Sequence, residues 1–273
     1  MIAAHFTADE TLAWFFDERN NSYKVNQEMF AKFGIHSLLT RSGQAEEEYM
    51  ANKMLVEAKD FKGLTFRGVG WTGFVISSPE FGASCIVMPS TENYSALQSG
   101  VIDACESGGP YGNFTTNSLS EVCRYAGFPG MHQFSQTTSF LINAKKWKVL
   151  PPDVQMILTE LLMARNFRTY AFTMKENAEV MDKVAAYGTV LVRESPACQR
   201  AWRDVSWRIA DVMAKDSKDF AELWGRMKAY MGQDSLRGYL EAQTPAFGKK
   251  INFYGAFSWL KFKKELGLPG IKY

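Results

Sequence analysis

The 273-residue chain is 46% hydrophobic and 22% charged, the composition of a globular protein with enough apolar material for one large domain or two lobes. Its 31 Lys and Arg offset 29 Asp and Glu without a long single-sign block, which argues against nucleic acid or an acidic membrane surface as partner. The four cysteines, Cys85, Cys105, Cys123 and Cys198, lack metal-site spacing; Cys85 and Cys105, in apolar strand-like runs, are read as small buried thiols, no disulfide is expected, and no apolar run reaches the length of a membrane span.

The amino-terminal MIAAHFTADETLAWFF carries acidic residues where a secretory signal needs a basic start, so no export signal is expected. Residues 8–34 alternate helical patterning with turn signals, and FGIHSLLT follows as a short strand with Ile35, Ser37 and Leu39 on one side. The acidic run Glu46, Glu47, Glu48 precedes YMANKML. After AKDFKGLTFRGVGWTG a helix is expected as far as Phe81, then a strand SCIVM. In PSTENYSALQSG, Ser90 or Thr91 can cap a helix that Gly100 ends, and VIDAC follows as a strand. This strand, helix, strand order predicts an α/β fold with parallel pairing.

SFLINAKKW reads as another strand running into a turn. From Pro151, Val154, Ile157, Leu158, Leu161 and Leu162 recur at helical spacing, with no break before Gly188. At roughly 1.5 Å per residue that is about 55 Å of helix, too long for one face of a compact domain, so it is expected to connect two lobes. The strand TVLVR follows, then helical patterning from Pro196 to about Met231 with Trp202, Val205, Ile209 and Val212 on one face. Residues 232–273 are rich in glycine and aromatics, have a basic end, and carry no firm assignment.

Three stretches carry the functional signal. In ALQSGVIDACESGGPYGNF, a strand delivers Glu106 and Ser107 to its carboxyl end, where open α/β sheets place ligands; a tight turn with a solvated glutamate explains that segment equally well. In DFKGLTFRGVGWTG, Arg67 ends a strand beside Gly68 and Gly70, where a planar fork suits a carboxylate, against the plain alternative of a surface arginine. In FPGMHQFSQTTSF, His132 and Gln133 precede a strand and can close over a bound molecule, although a lone histidine is more often structural. Trp71 and Tyr111, with Phe134 and Phe140, are either an apolar wall for the ligand or core.

Together these stretches resemble the solute-binding proteins of TRAP transporters, of the C4-dicarboxylate (DctP) type, which capture organic acids for a membrane permease. The resemblance rests on KGLTFRGVG, ENYSALQSGVIDACESGGPY, PGMHQ and LINAKKWKVLPPDVQ in that order, and covers roughly residues 10–230. It implies a two-lobe periplasmic-binding-protein-like α/β fold with a long connecting helix, truncated at its amino terminus. Residues 1–66 are then a remnant of lobe I, 67–134 lobe II, 135–150 a crossing strand of lobe I, 151–188 the connecting helix, 189–231 the completion of lobe II and 232–273 the tail.

The resemblance further implies that Arg67 pairs with the ligand carboxylate, that Glu106 and Ser107 line the cleft, and that Gln133 closes it. In keto-acid-binding members the Ser107 and Gln133 positions also hold a metal ion. A neutral amide at Gln133 adds no charge, so no cofactor is expected to be required, with a bridging sodium or calcium ion as the alternative. A further ligand-shell residue is implied near Glu46 to Glu48 without a choice among them. The implied partners are a small organic acid and the membrane subunits of a TRAP permease, and the implied location is the periplasm; a homo-oligomer is a further option, and the tail's partner, whether the permease, another copy or nothing, is left open. Two rivals stand beside this reading. One is a non-binding remnant that serves as an interaction surface. The other is a hydrolase built on Ser135, His132 and Asp103, which lacks a G-x-S-x-G elbow.

Overall fold

A computed structural model describes residues 8–17, 22–43, 45–135, 137–231 and 255–257. Its strands form two sheets. Strand β1 (Ile35–Ser42) pairs antiparallel with β7 (Thr137–Asn143) in a two-stranded sheet. The larger sheet has seven strands in the order β4 (Ser84–Ile86), β3 (Thr65–Arg67), β5 (Ala104–Cys105), β2 (Tyr49–Ala51), β6 (Tyr125–Gly127), β8 (Val190–Arg193) and β9 (Gly255–Phe257).

One strand sets the geometry of everything that follows. Within the larger sheet β4, β3 and β5 run parallel, as do β6 and β8, whereas β2 is antiparallel to both β5 and β6. The residues before β2 therefore lie at the same end of the sheet as the residues after β3, β5 and β6. Glu46 to Glu48, Arg67, Glu106 and His132 are those residues.

Both faces of this sheet are covered, as parallel strands require. Side-chain alternation divides β2, so that Tyr49 and Ala51 join Phe61, Phe66, Phe81 and Trp202 in one cluster, while Met50 joins Ile102, Cys105, Ala126 and Leu191 in another. Helix α3 (Trp71–Ile76) and α7 (Pro196–Asp216) pack on the first face. Helix α4 (Asn93–Ser99) and the end of α6 (Pro152–Tyr187) pack on the second, through Ala96, Leu97, Val180, Met181 and Val184. A third cluster joins Trp14 of α1 (Ala8–Phe16) to α7 and to Trp224, Met227 and Tyr230 of α8 (Lys218–Met231). Helix α2 (Ser22–Ala31) lies against β1, and α5 (Ala144–Lys148) follows β7. All four cysteines are free thiols.

Helix α6 runs 36 residues, from Pro152 in its first turn to a left-handed cap at Gly188 with φ 106°, and is about 54 Å long at 1.5 Å per residue. It packs on β1 of the small sheet and, at its far end, on the core of the large one, so it spans the two as the unbroken apolar period predicts.

The structure differs from the sequence reading in four places. Strands β2 and β3 belong to the larger sheet, so a boundary at residue 66 divides that sheet; the short YMA strand after an acidic run gave no periodic signal of its pairing. The helix expected to reach Phe81 ends at Ile76, and the chain turns through Gly82 at φ +66°. The helical stretch to Met231 breaks at Ser217, whose extended backbone ends α7 and whose Oγ accepts the Phe220 N–H at 3.2 Å, capping α8. Finally, the tail is not without assignment: Gly255–Phe257 adds β9 to the edge of the sheet, while 232–254 and 258–273 lie outside the described residues.

Burial has one measurable consequence in this frame. Glu194 is 3% exposed; one carboxyl oxygen accepts the Trp202 indole N–H at 3.3 Å and the other has no hydrogen-bond partner among the described residues. Burial, reinforced by the nearby negative charge of Glu48, holds its carboxyl protonated well above the ordinary carboxylate range. A raised folded pKa gives stability that is present below the unfolded value and is lost as pH rises toward the folded one. Urea unfolding from pH 5 to 8 should therefore show Glu194→Gln gaining on the wild type by up to about 1.4 kcal/mol per pH unit. Parallel curves for the two proteins would mean that Glu194 is not held protonated.

Candidate ligand-binding site

Arg67 is the last residue of β3 and only 5% exposed. A guanidinium that deep needs partners for its N–H groups. Nε and Nη2 donate to the Met88 carbonyl at 3.1 and 3.0 Å, and Nη1 donates to the Glu106 carbonyl at 2.6 Å and to Glu106 Oε1 at 3.4 Å. Glu106 Oε1 also accepts the Val69 N–H at 2.8 Å. Its second oxygen, Oε2, turns away from these donors to within 3.8 Å of His132 Nε2. Burial raises the Glu106 carboxyl above its ordinary value, and the positive charges of His132 and Arg67 work against that rise.

The acidic run is stitched into the same end of the sheet. Glu46 N–H donates to the Gln133 carbonyl at 3.2 Å, Glu47 N–H to Gly108 at 3.0 Å and Glu48 N–H to Gly127 at 2.7 Å, while Gly130 N–H donates to the Glu46 carbonyl at 2.7 Å. Extended backbone alternates its side chains, so Glu46 and Glu48 face His132 and Glu47 faces the opposite way, accepting from Asn113 Nδ2 at 2.7 Å. Burial pushes Glu47 up to about 7, against the Asn113 hydrogen bond.

The His132 ring sits between carboxylates. Nδ1 lies 3.4 Å from Glu48 Oε2, and Nε2 lies 3.4 Å from Glu46 Oε2. Glu48 Oε2 also accepts the backbone N–H groups of Met131 and, at 3.1 Å, His132. Burial disfavours a charged ring here, but Glu48, Glu46 and Glu106 outweigh it and hold the imidazole protonated well above its ordinary value. Only glycine fits at position 130: a Cβ there would stand 2.8 Å from the Glu46 carbonyl oxygen and 3.0 Å from the His132 ring.

The structure thus brings Arg67, Glu106 and the Gln133 backbone together with Glu46, Glu48 and His132. The Gln133 side-chain nitrogen is buried without a hydrogen-bond partner among the described residues. Ser107 follows Glu106, with its Oγ accepting from Asn117 Nδ2 at 3.2 Å. Tyr111 is 39% exposed; its N–H donates to Asn177 of α6 at 3.1 Å. Trp71 points elsewhere: its indole N–H donates to Ser206 of α7 at 2.6 Å and its ring stacks on Phe220 of α8 at 6.2 Å. Packing against those helices, rather than a ligand, accounts for Trp71. Asp103 accepts the Thr65 N–H at 2.7 Å at the start of β5, the end of the strand away from His132, so the hydrolase constellation does not assemble. The choice among Glu46, Glu47 and Glu48 follows from the alternation of their side chains on the segment that leads into β2, which is readable only once that segment is known to pair with the loops after β5 and β6.

Residues 5–216 match the family described as bacterial extracellular solute-binding protein, family 7 (DctP). Among curated relatives, the monocarboxylate 2-oxoacid-binding periplasmic protein of Nostoc sp. is 27% identical over 226 residues, covering 83% of this chain and 61% of its own length. The C4-dicarboxylate-binding periplasmic protein DctP of Rhodobacter capsulatus is 28% identical over 166 residues, covering 60% of this chain and 49% of its own length. The chain thus spans between about half and three fifths of these relatives. Two TRAP transporter solute-binding structures share the fold. One, from Bordetella bronchiseptica with calcium and picolinate, has a TM-score of 0.81 at 22% identity, covering 90% of this chain and 71% of that one. The other, from Pseudoalteromonas atlantica with sodium and pyruvate, has a TM-score of 0.80 at 24% identity, covering 92% and 74%. By the extent of the family match, the chain belongs to the DctP family of bacterial extracellular solute-binding proteins and not to a family of enzymes.

Proposed function

We propose that this chain captures a small organic acid of the 2-oxo acid class, its carboxylate docking beside Arg67, and that it serves in the periplasm to hand that acid to the membrane subunits of a TRAP permease. The observation that carries the reading is the buried guanidinium of Arg67, fixed at the end of the sheet where Glu106 and His132 converge. Loops leaving that end of an open α/β sheet form the usual ligand crevice. The partnerless amide nitrogen of Gln133 is a donor that a ligand oxygen would satisfy. Pyruvate and picolinate, bound by two of the solved relatives, both carry a second donor atom next to the carboxylate, and the Nostoc relative is a 2-oxoacid-binding protein, which supports this class; another solved relative binds malonate, so a dicarboxylate is the competing ligand. Helix α6 spans the two sheets, and closure about the acid follows from its greater affinity for the closed form.

A cation beside the acid fits the residues present. The neutral Gln133 argues against one, yet Glu46 places a carboxylate in the same corner, and Glu46, Glu106 and His132 each offer a ligand atom within 4.8 Å of the others. A bound ion would supply positive charge to a second ligand oxygen. The residues themselves orient the acid: Arg67 holds its carboxylate and Gln133 donates to it.

Two measurements check this reading. Thermal unfolding of the 273-residue chain against pyruvate, picolinate, malonate and succinate should give an upward shift for the 2-oxo acid, worth about 2.7 kcal/mol at a hundredfold excess over Kd. A broad transition that none of the acids moves would favour the interaction-surface alternative.

The second measurement separates binding from folding at Arg67. Arg67→Ala removes one of the two cationic neighbours of the buried Glu106 and should cost about 3–5 kcal/mol of stability as well as the ligand contact. Arg67→Lys keeps the charge but loses the planar fork, so it should stay folded and bind the acid more than about tenfold more weakly in calorimetry. Unchanged affinity in the lysine variant would remove Arg67 from the site.

A further inference from the structure

We propose that Glu46, Glu106 and His132 form a site for a first-row divalent transition ion, such as cobalt, manganese or zinc, rather than for a cation held by oxygen alone. This deepens the reading of the acid site given above and rests on it for the ion's role, though not for the donor geometry.

The geometry has three parts. Two of the three donors, Glu106 and His132, have their other side occupied. Glu106 gives Oε1 to Val69 and Arg67, which leaves Oε2 toward His132. The His132 ring turns Nδ1 to Glu48, whose carboxylate is itself anchored by the Met131 and His132 N–H groups, and turns Nε2 to the two remaining carboxylates. An outer carboxylate on the far nitrogen of an imidazole is the arrangement that orients histidine ligands toward a metal.

The second part is distance. Nε2 stands 3.4 Å from Glu46 Oε2 and 3.8 Å from Glu106 Oε2. A charge-assisted N–H···O bond would bring such atoms to about 2.7–2.9 Å. Donors about 2.0–2.1 Å from one tetrahedral ion stand roughly 3.3 Å apart, close to the first of these separations. The three side chains are 4–11% exposed, so water does not fill the gap freely.

The third part is donor chemistry. Sodium and calcium take oxygen ligands, whereas an imidazole nitrogen with two carboxylates follows the transition-ion preference. Glu46, Glu48 and Glu106 place three buried carboxylates against two cationic groups, Arg67 and the His132 ring, and an ion entering the corner would take the place of the proton on His132 Nε2.

The test uses the full chain after dialysis against a chelator, without any organic acid. Cobalt(II) should give visible absorption bands and raise the unfolding midpoint, and zinc or cobalt should act at concentrations at least tenfold below calcium or sodium. His132→Gln should abolish the cobalt bands and the preference, whereas His36→Gln, whose ring stacks on Trp147 away from this corner, should keep both. If His132→Gln does not fold, Glu46→Gln provides the second variant and should weaken cobalt at least tenfold. Calcium acting as strongly as zinc, cobalt bands that survive His132→Gln, or no response to any transition ion would overturn the site. A midpoint moved by pyruvate in the presence of chelator, with no ion response, would overturn the ion site while supporting the acid site; ions that act where no acid does would reject the acid reading and keep the ion site.

Discussion

A buried guanidinium is tolerable only if its N–H groups are held, and Arg67 meets that condition by binding the backbone carbonyls of Met88 and Glu106 as well as the Glu106 carboxylate. The contact ties the ends of β3 and β5 to the segment after β4. It fixes Glu106 so that one oxygen faces inward, and this in turn determines where His132 and Glu46 meet it. Removing the arginine would leave both carbonyls and the carboxylate without their partner, so the site and the sheet edge share one support.

That support works because β2 runs against its neighbours. Had β2 been parallel, Glu46 to Glu48 would lie at the far end of the sheet from Arg67, and the carboxylate corner would not exist. The long helix α6 then links the corner to the second sheet. Asn177 accepts the Tyr111 N–H, and a Cβ on Gly109 would stand 3.2 Å from the Asn177 side chain, so the loop after Glu106 lies directly against the helix that reaches β1.

Much of this was legible in the sequence, and the limits have physical causes. The apolar period from Val154 onward and the Pro and Gly at the ends of α6 specify a helix locally, and the helix is there. Arg67 and Glu106 were readable because each ends a strand beside glycines. Glu46, Glu48 and His132 were not assigned as a group, because what unites them is pairing between segments more than 80 residues apart, and a carboxylate run by itself reads as solvated surface. Trp71 shows the converse limit: its place two residues beyond Val69 suggests the cleft, but the direction of α3 carries its ring toward Ser206 and Phe220. The break at Ser217 was present as a capping residue inside an otherwise continuous apolar period, and the period concealed it.

The central claim is that the carboxylate of a 2-oxo acid is held at the end of β3 by a guanidinium already fixed in place. A crystal structure of the chain grown with pyruvate tests it most directly. The account predicts ligand density with its carboxylate within hydrogen-bonding distance of Arg67 and its oxo group directed toward Glu46 and His132. Density for pyruvate at any other place, with the Arg67 and Glu106 corner filled only by water, would contradict it.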